Sequence, residues 1–303
     1  MNKTFGVIGG DRRQAELAGL LEADGRTVRT YGLGAWRSGG ETSLRRAAAC
    51  DVVILPLPLC QGDGVLNCQE SPVPTLDLFQ SLRPEQLILA GQIKPKQLRE
   101  AELCGLKLED YFLREELTVA NAAATAEAAI QVAMEHLDRT LLGMDCLVVG
   151  FGRIGKLLSS RLHGLGARVT ATARKPGDLA WIRAYGWKAL ETKCLNGSLE
   201  SFGAVFNTVP SLVLDESLLS QLQPGCLCVD LASVPGIDLA AAESLGLPHV
   251  WARSLPGRLV PRTAAAVIRD AVNYILEERG DLADLQSAGP SALMNRCSRV
   301  WRS

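Results

Sequence analysis

"CLVVGFGRIGKLLSSRLHGLGARVTATARK", residues 146–175, decides the fold. An apolar run ends in Gly150-x-Gly152-x-x-Gly155, and an amphipathic stretch with helical spacing follows at once. Gly150 permits the tight turn, Gly152 lets the backbone approach a pyrophosphate, and Gly155 lets helix pack on strand. The helix start offers unpaired N–H groups to the phosphates. Glycines alone would be a weak signal. With a strand before and a helix after, the segment reads as a dinucleotide loop, and Arg153 and Ile154 belong to it.

The next apolar run, "ARVTATA", bears on which dinucleotide is bound. An acidic residue at its end normally takes the adenine ribose hydroxyls. Here Ala171, Thr172, Ala173, Arg174 and Lys175 supply no carboxylate. Thr172 and Arg174 suit a 2′-phosphate and Lys175 adds charge, so NADP is expected. NAD stays open if the two cations are merely solvated. Farther on, "FNTVP" and "VDLAS" end at Pro210 and Ser233. Ligands of an open parallel sheet lie beyond the carboxyl ends of its strands. Asn207, Thr208 and Pro210 are therefore expected at the cofactor, with Asn207, Asp230 and Ser233 as the catalytic candidates. Ordinary turn chemistry after a strand explains the same residues.

Outward from this unit, strand-like and helix-like segments alternate along the chain. "DCLVVG", "ARVTATA", "AVFNTVP", "GCLCVDLAS" and "PHVWARSLPG" form one series, closed by the helical "TAAAVIRDAVNYILEERG", residues 263–280. Before it, "FGVIGG", "DVVILPLPL", "QLILAG" and the weaker "GLKLEDYF" form another. Asn121–Leu141, Ala-rich and without Gly or Pro, is long enough to bridge the two as a helix. The pattern predicts an α/β chain: two Rossmann-like domains with parallel sheets, joined by a long crossing helix and a returning C-terminal helix. The expected division is a substrate domain over 1–139, an NADP-binding domain over 140–262, and over 263–303 a helix packing back toward the first domain, followed by a polar tail.

"GGDRRQ", residues 9–14, sits where a first phosphate loop would, yet it fails as one. It lacks the third glycine, and Asp11 would repel a pyrophosphate. A substrate-domain role is expected instead, with Arg13 pairing a substrate carboxylate and Asp11 holding Arg13. The alternative is a plain ion pair stapling two domains. "SLPGRLVPRTA" is the second anchor candidate, through Gly257, Arg262 and Thr263, where a helix begins.

Bulk properties narrow the class. The chain has 303 residues, 47% of them hydrophobic, and a formal net charge of -1. That length suits two cores, and near-neutral charge gives no reason to expect nucleic acid or an anionic membrane. Its short, broken apolar runs and a start without a secretory segment predict a cytoplasmic protein. The nine cysteines show no zinc spacing and read as buried free thiols. With three histidines, a histidine-rich metal site is not indicated, and no metal is expected. None of His136, His163 and His249 falls at a cleft-facing strand end; His249 is expected just before the last strand.

The ordered motifs "IGGDRRQ", "ILPLPLCQGDG", "NAAATAE", "VVGFGRIG", "TARK", "NTVPS", "VDLASVPG" and "LPGRLVPRTA" resemble the A subunit of dipicolinate synthase, from about residue 5 to residue 278. The glycine loop is generic to dehydrogenases; "GGD" with Arg13 and Gln14, and "LPG" near "PRTA", are more specific. The resemblance implies a two-domain dehydrogenase that works with the flavoprotein-like B subunit of dipicolinate synthase. It implies a dihydro- or tetrahydrodipicolinate substrate, oxidised to dipicolinic acid in the mother cell of a sporulating bacterium. Homo-oligomerisation is expected as well. The chain departs from the family pattern at Val234, where a polar or basic residue is common, and at Ala128 and Ile237, where glycines stand. Pro58 and Cys60 replace Ser or Thr. These positions are expected in loops facing the cleft, which puts substrate detail in question more than cofactor use.

Oxidising a dihydropyridine sends a hydride to nicotinamide and a proton to a base, with aromatisation as driving force. Such a site needs positioning and carboxylate binding more than a strong base. Scarce histidine fits that demand and fits a 2-hydroxyacid dehydrogenase badly, since that chemistry wants a His–carboxylate pair. Two alternatives stay open: another two-domain dehydrogenase of alanine or hydroxyacid type, and a nucleotide-binding regulatory protein without catalysis.

Overall fold

The computed structural model describes residues 3–37, 43–62, 64–69 and 72–281. The expected polar tail lies outside these residues from position 282, as does Cys297.

Two fully parallel sheets organise the chain. The first takes β1 (Thr4–Ile8), β2 (Thr27–Tyr31), β3 (Val52–Ile54), β4 (Leu87–Ala90) and β5 (Leu108–Asp110). Between them run α1 (Arg12–Ala23), α2 (Leu44–Ala48), α3 (Thr75–Gln80) and α4 (Pro95–Leu103). Its strand order is β2-β1-β3-β4-β5. After the crossing helix α5 (Glu115–His136), the second sheet takes β6 (Asp145–Val149), β7 (Arg168–Ala173), β8 (Lys188–Glu191), β9 (Ala204–Asn207), β10 (Leu227–Asp230) and β11 (His249–Trp251). Its helices are α6 (Arg153–Gly164), α7 (Pro176–Ala184), α8 (Glu216–Leu219) and α9 (Leu239–Ser244). The order β11-β10-β9-β6-β7-β8 is that of a doubly wound dinucleotide fold. The short α10 (Leu255–Leu259) and the long α11 (Pro261–Glu278) follow.

The strands read as continuous apolar runs because helices cover both faces of each sheet. One face of the first sheet packs Phe5, Val7 and Ile54 against α1 and α11, which contributes Ile268, Val272, Ile275 and Leu276. The C-terminal helix is therefore part of the first core, and its apolar residues at helical spacing explain why it returns. The crossing helix serves both cores. Leu117 near its start joins the first, while Ala126, Ala129, Val132 and Ala133 join the second, beside α6. Its alanines let α5 and α6 approach closely.

Sequence and structure differ at particular places. β2 and β8 are not among the predicted strands. Both are edge strands, each hydrogen-bonded to a single neighbour, and "TVRTY" and "KALE" are only partly buried, so neither carries the apolar run that marks a central strand. α5 begins earlier than the Asn121 expected, because Glu115 and Glu116 favour a helix first turn. It ends at His136, since Leu137 adopts extended backbone. α11 spans Pro261–Glu278 rather than 263–280, with proline tolerated in the first turn. His249 opens β11 rather than preceding it.

Ala128 is no loop residue; it is buried in the middle of α5. Ile237 and Cys60 are also buried, and of the five departures from the family pattern only Val234 is strongly exposed. The thiol expectation is corrected in part. Cys194 is exposed, and Cys68 and Cys104 are half-buried. Burial pushes the Cys146 thiol up to about 12, which keeps it protonated and inert. Among the described residues no cluster suits a metal, and no helix is long and apolar enough to cross a membrane.

Candidate functional site

Strand order reverses between β6 and β9, where β6 ends in the glycine loop. Gly150 adopts φ 100, a conformation that favours glycine. A Cβ at Gly155 would stand 2.2 Å from the Gly150 carbonyl oxygen, so the start of α6 can lie this close to β6 only with glycine there. Gly152, by contrast, faces open space. A cavity of about 610 Å³ opens over the loop, bordered by Gly150, Gly152, Arg153 and Ile154. Tight packing behind the loop and open space at its middle glycine suit a pyrophosphate resting on the first turn of α6.

Ala173, Arg174, Lys175 and Asp178 border the cavity after β7. Arg174 and Lys175 are exposed, and neither makes an ion pair among the described residues. Thr172 departs from its expected role. It is wholly buried beneath the loop, where its Oγ1 accepts the Gly150 N–H at 3.2 Å and a bond from Thr192 Oγ1 at 3.3 Å. Thr172 thus supports Gly150 from below rather than reaching a 2′-phosphate. Thr192, just after β8, borders the cavity. Sequence reasoning misses it because it misses β8.

After β9, Thr208, Val209, Pro210 and Ser211 close another side. Thr208 Oγ1 donates to the Val149 carbonyl at 2.9 Å and braces the loop. Asn207 and Asp230, expected as catalytic residues, turn inward and do not line the cavity. Both are fully buried. Asp230 accepts N–H bonds from Ala232 at 2.9 Å, Gly236 at 2.7 Å and Ile237 at 2.8 Å, and from Asn207 Nδ2 at 3.1 Å. Asn207 also binds Val209 through both its N–H and its carbonyl. The pair ties the loops after β9 and β10 together, and four donors satisfy the buried carboxyl group. Of the three catalytic candidates, only Ser233 is exposed. Trp251 Nε1 fixes its neighbour by donating to the Ala232 carbonyl at 2.9 Å.

The crossing helix supplies a wall that motif reading overlooks. Thr118, Asn121 and Ala122 line the same cavity as the glycine loop. "NAAATAE" contains Asn121, but nothing in the segment marks which face of the helix is turned to the loop.

"GGDRRQ" has a different use. The Gly9 N–H donates to the Tyr31 carbonyl at 2.8 Å and the Gly10 N–H to the Asn67 carbonyl at 2.6 Å, so neither is free for a phosphate. Asp11 caps α1, with Gln14 completing a capping box; the D-x-x-Q spacing carries that signal. Arg13 is 6% exposed. Its Nε and Nη2 bind Asp11 at 2.9 and 2.7 Å, and Nη2 reaches the Leu57 carbonyl at 2.5 Å. A Cβ on Gly257 would lie 2.8 Å from Arg13 Nε and 2.9 Å from Asp11 Oδ2. The ion pair therefore packs against α10, and the guanidinium expected at a substrate is turned inward instead. Gly257 is buried in that contact, whereas Arg262 and Thr263 are exposed at the start of α11. The histidines lie elsewhere: Nδ1 of His136 contacts the Val132 carbonyl and that of His249 the Leu247 carbonyl, while His163 packs near Trp187.

These two sheets, with a glycine loop at the switch point of the second, define a two-domain dehydrogenase-like fold. A transhydrogenase from Sinorhizobium meliloti shares it, with TM-score 0.65 over 91% of this chain and 95% of that one at 16% identity. The sequence points more closely. Residues 4–112 match the family model of the N-terminal domain of the dipicolinate synthase A subunit. The chain is 29% identical over 282 residues to the dipicolinate synthase A subunit of Bacillus subtilis (strain 168), covering 90% of this chain and 95% of the relative. The crystal structure of that synthase's A chain from Bacillus subtilis superposes with TM-score 0.80 at 28% identity, covering 92% and 97% of the two chains. Over most of its length the chain is thus similar to the dipicolinate synthase A subunit.

Proposed function

We propose that this chain is an NADP-dependent oxidoreductase that oxidises a dihydro- or tetrahydrodipicolinate to dipicolinic acid during sporulation, as one component of a synthase. The observation that carries the reading is the cavity over Gly150–Gly155, with the exposed Arg174 and Lys175 just after β7 where a carboxylate would select NAD. Gly150, Gly152, Arg153, Ile154 and Gly155 would hold the pyrophosphate. Arg174 and Lys175 would meet the 2′-phosphate, with Thr208 and Pro210 beside the ribose. When bound, the nicotinamide accepts a hydride. A dihydro substrate loses one hydride and one proton on becoming aromatic; a tetrahydro substrate loses two of each.

The chain's own contribution is positioning. Asp230 and Asn207 hold the loop that presents Ser233, and Ser233 is the exposed hydroxyl able to relay a proton to solvent. Arg262 and Thr263 are the exposed groups for a substrate carboxylate near α11. The proposed assembly includes the flavoprotein-like B subunit and a second copy of this chain, in the cytoplasm of the mother cell. A second reading, a nucleotide-binding component without catalysis, draws on the burial of Asp230 and the remoteness of the histidines.

Turnover of dihydrodipicolinate with NADP, with and without the flavoprotein-like component, separates the two readings. Calorimetric titration tests the cofactor: NADP should bind more tightly than NAD, and Arg174→Asp should reverse that order by replacing attraction to the 2′-phosphate with repulsion. Equal affinities in the unmodified protein would refute the NADP assignment.

A further inference from the structure

The first residues of two helices meet beside the glycine loop. Arg153 opens α6 and borders the cavity. Its guanidinium is engaged by Glu115, the first residue of the crossing helix. Arg153 Nε lies 3.0 Å from both carboxylate oxygens, and Nη2 lies 2.5 Å from Oε2. This contact holds the Glu115 carboxyl below the usual range. Both side chains are open to water, at 53% and 65% exposure, so exchanging the partner of Arg153 requires no burial of charge. The start of α5 is also held independently of Glu115. Arg114 binds Glu278 of α11 at 2.6 Å and also pairs with Glu116, and Thr118 Oγ1 accompanies Glu115 by donating to its carbonyl at 3.0 Å.

A dianion approaching the first turn of α6 meets helix N–H groups and the Arg153 guanidinium, but also a carboxylate already on that guanidinium. We propose that Glu115 stands in for the pyrophosphate on Arg153 in the dinucleotide-free protein, and that cofactor binding transfers Arg153 from the crossing helix to the ligand. Glu115 is then a positioning residue that lowers cofactor affinity and links occupancy of the loop to the start of α5. The inference rests on the dinucleotide reading of the loop.

Titration calorimetry of the full chain with NADP, and separately with inorganic pyrophosphate, tests it. Glu115→Gln should tighten binding of both by roughly threefold to fivefold at low ionic strength, the range of an exposed ion pair. The difference should fade as salt rises. Glu116→Gln, which removes a neighbouring carboxylate that pairs with Arg114 instead, should leave affinity unchanged. In an Arg153→Met background, Glu115→Gln should have no further effect. If the unmodified protein binds NADP and Glu115→Gln binds equally or more weakly, Glu115 does not compete and the inference falls alone. If the unmodified protein binds neither NADP nor NAD, the dinucleotide reading falls and takes this inference with it.

Discussion

Two glycines of one loop separate packing from ligand contact. At Gly155 an added methyl would press on the Gly150 carbonyl oxygen at 2.2 Å. Gly155→Ala should cost about 1–3 kcal/mol of stability, as overpacking does, and lower the melting temperature. At Gly152 the same methyl meets open space at φ -78. Gly152→Ala should therefore change stability by less than about 0.5 kcal/mol while weakening dinucleotide binding, since the methyl stands where the pyrophosphate approaches. Thermal melts paired with titrations check both; a Gly152→Ala variant with native affinity would count against the proposed pyrophosphate position. Asp230 makes a further residue-scale case. Asp230→Asn puts an NH₂ group among N–H donors and should cost about 3 kcal/mol or more. The loss should show in chemical denaturation. A stable variant that had lost only turnover would return Asp230 to the catalytic list.

Among elements, α10 joins the two halves through Gly257 on the Asp11–Arg13 pair. Arg13→Met removes the partner of a carboxylate that still caps α1, and it leaves the Leu57 carbonyl without its donor. Stability should fall by about 2 kcal/mol, with dinucleotide affinity unchanged. A variant of native stability whose Michaelis constant for the dicarboxylate rises would identify Arg13 as a direct substrate anchor instead. The same joint explains the motif's residue types: "GGD" gives a turn, a paired backbone and a helix cap, while the glycine of "LPG" allows close approach.

For the whole molecule, α11 is the element whose loss should be felt far from its own position in the chain. Ending the chain at Val260 would strip Ile268, Val272, Ile275 and Leu276 from the first core. Each such side chain contributes about 1.5–3 kcal/mol, so the sum rivals a domain's entire stability of roughly 5–15 kcal/mol. Amide exchange should show β1 and α1 losing protection in the truncated chain. Retained protection there would mean that α11 is an accessory rather than a part of that core.

The central strands, the glycine loop and both long helices were legible in the sequence. Each is set by a local pattern: an apolar run, a glycine spacing, or apolar residues at helical period. The edge strands β2 and β8 were not, because a strand with one neighbour and a wet face needs little apolar character. The candidate site was legible in part. "GFGRIG" and "ARK" mark the cavity's floor and one rim, since turn geometry and charge are properties of short segments. What Thr172, Asp230 and Arg13 do was decided only in three dimensions. Each carries a polar group able to meet a ligand, and nothing local records whether that group points to solvent or inward. Backbone donors from residues 232, 236 and 237 converge on Asp230, and the carbonyl of Leu57 reaches Arg13 from 44 residues away. Such partners come together only when the loops fold over the sheet. That is why the chain's local segments specify its elements and its glycine loop, while tertiary packing determines which polar residues remain free to act.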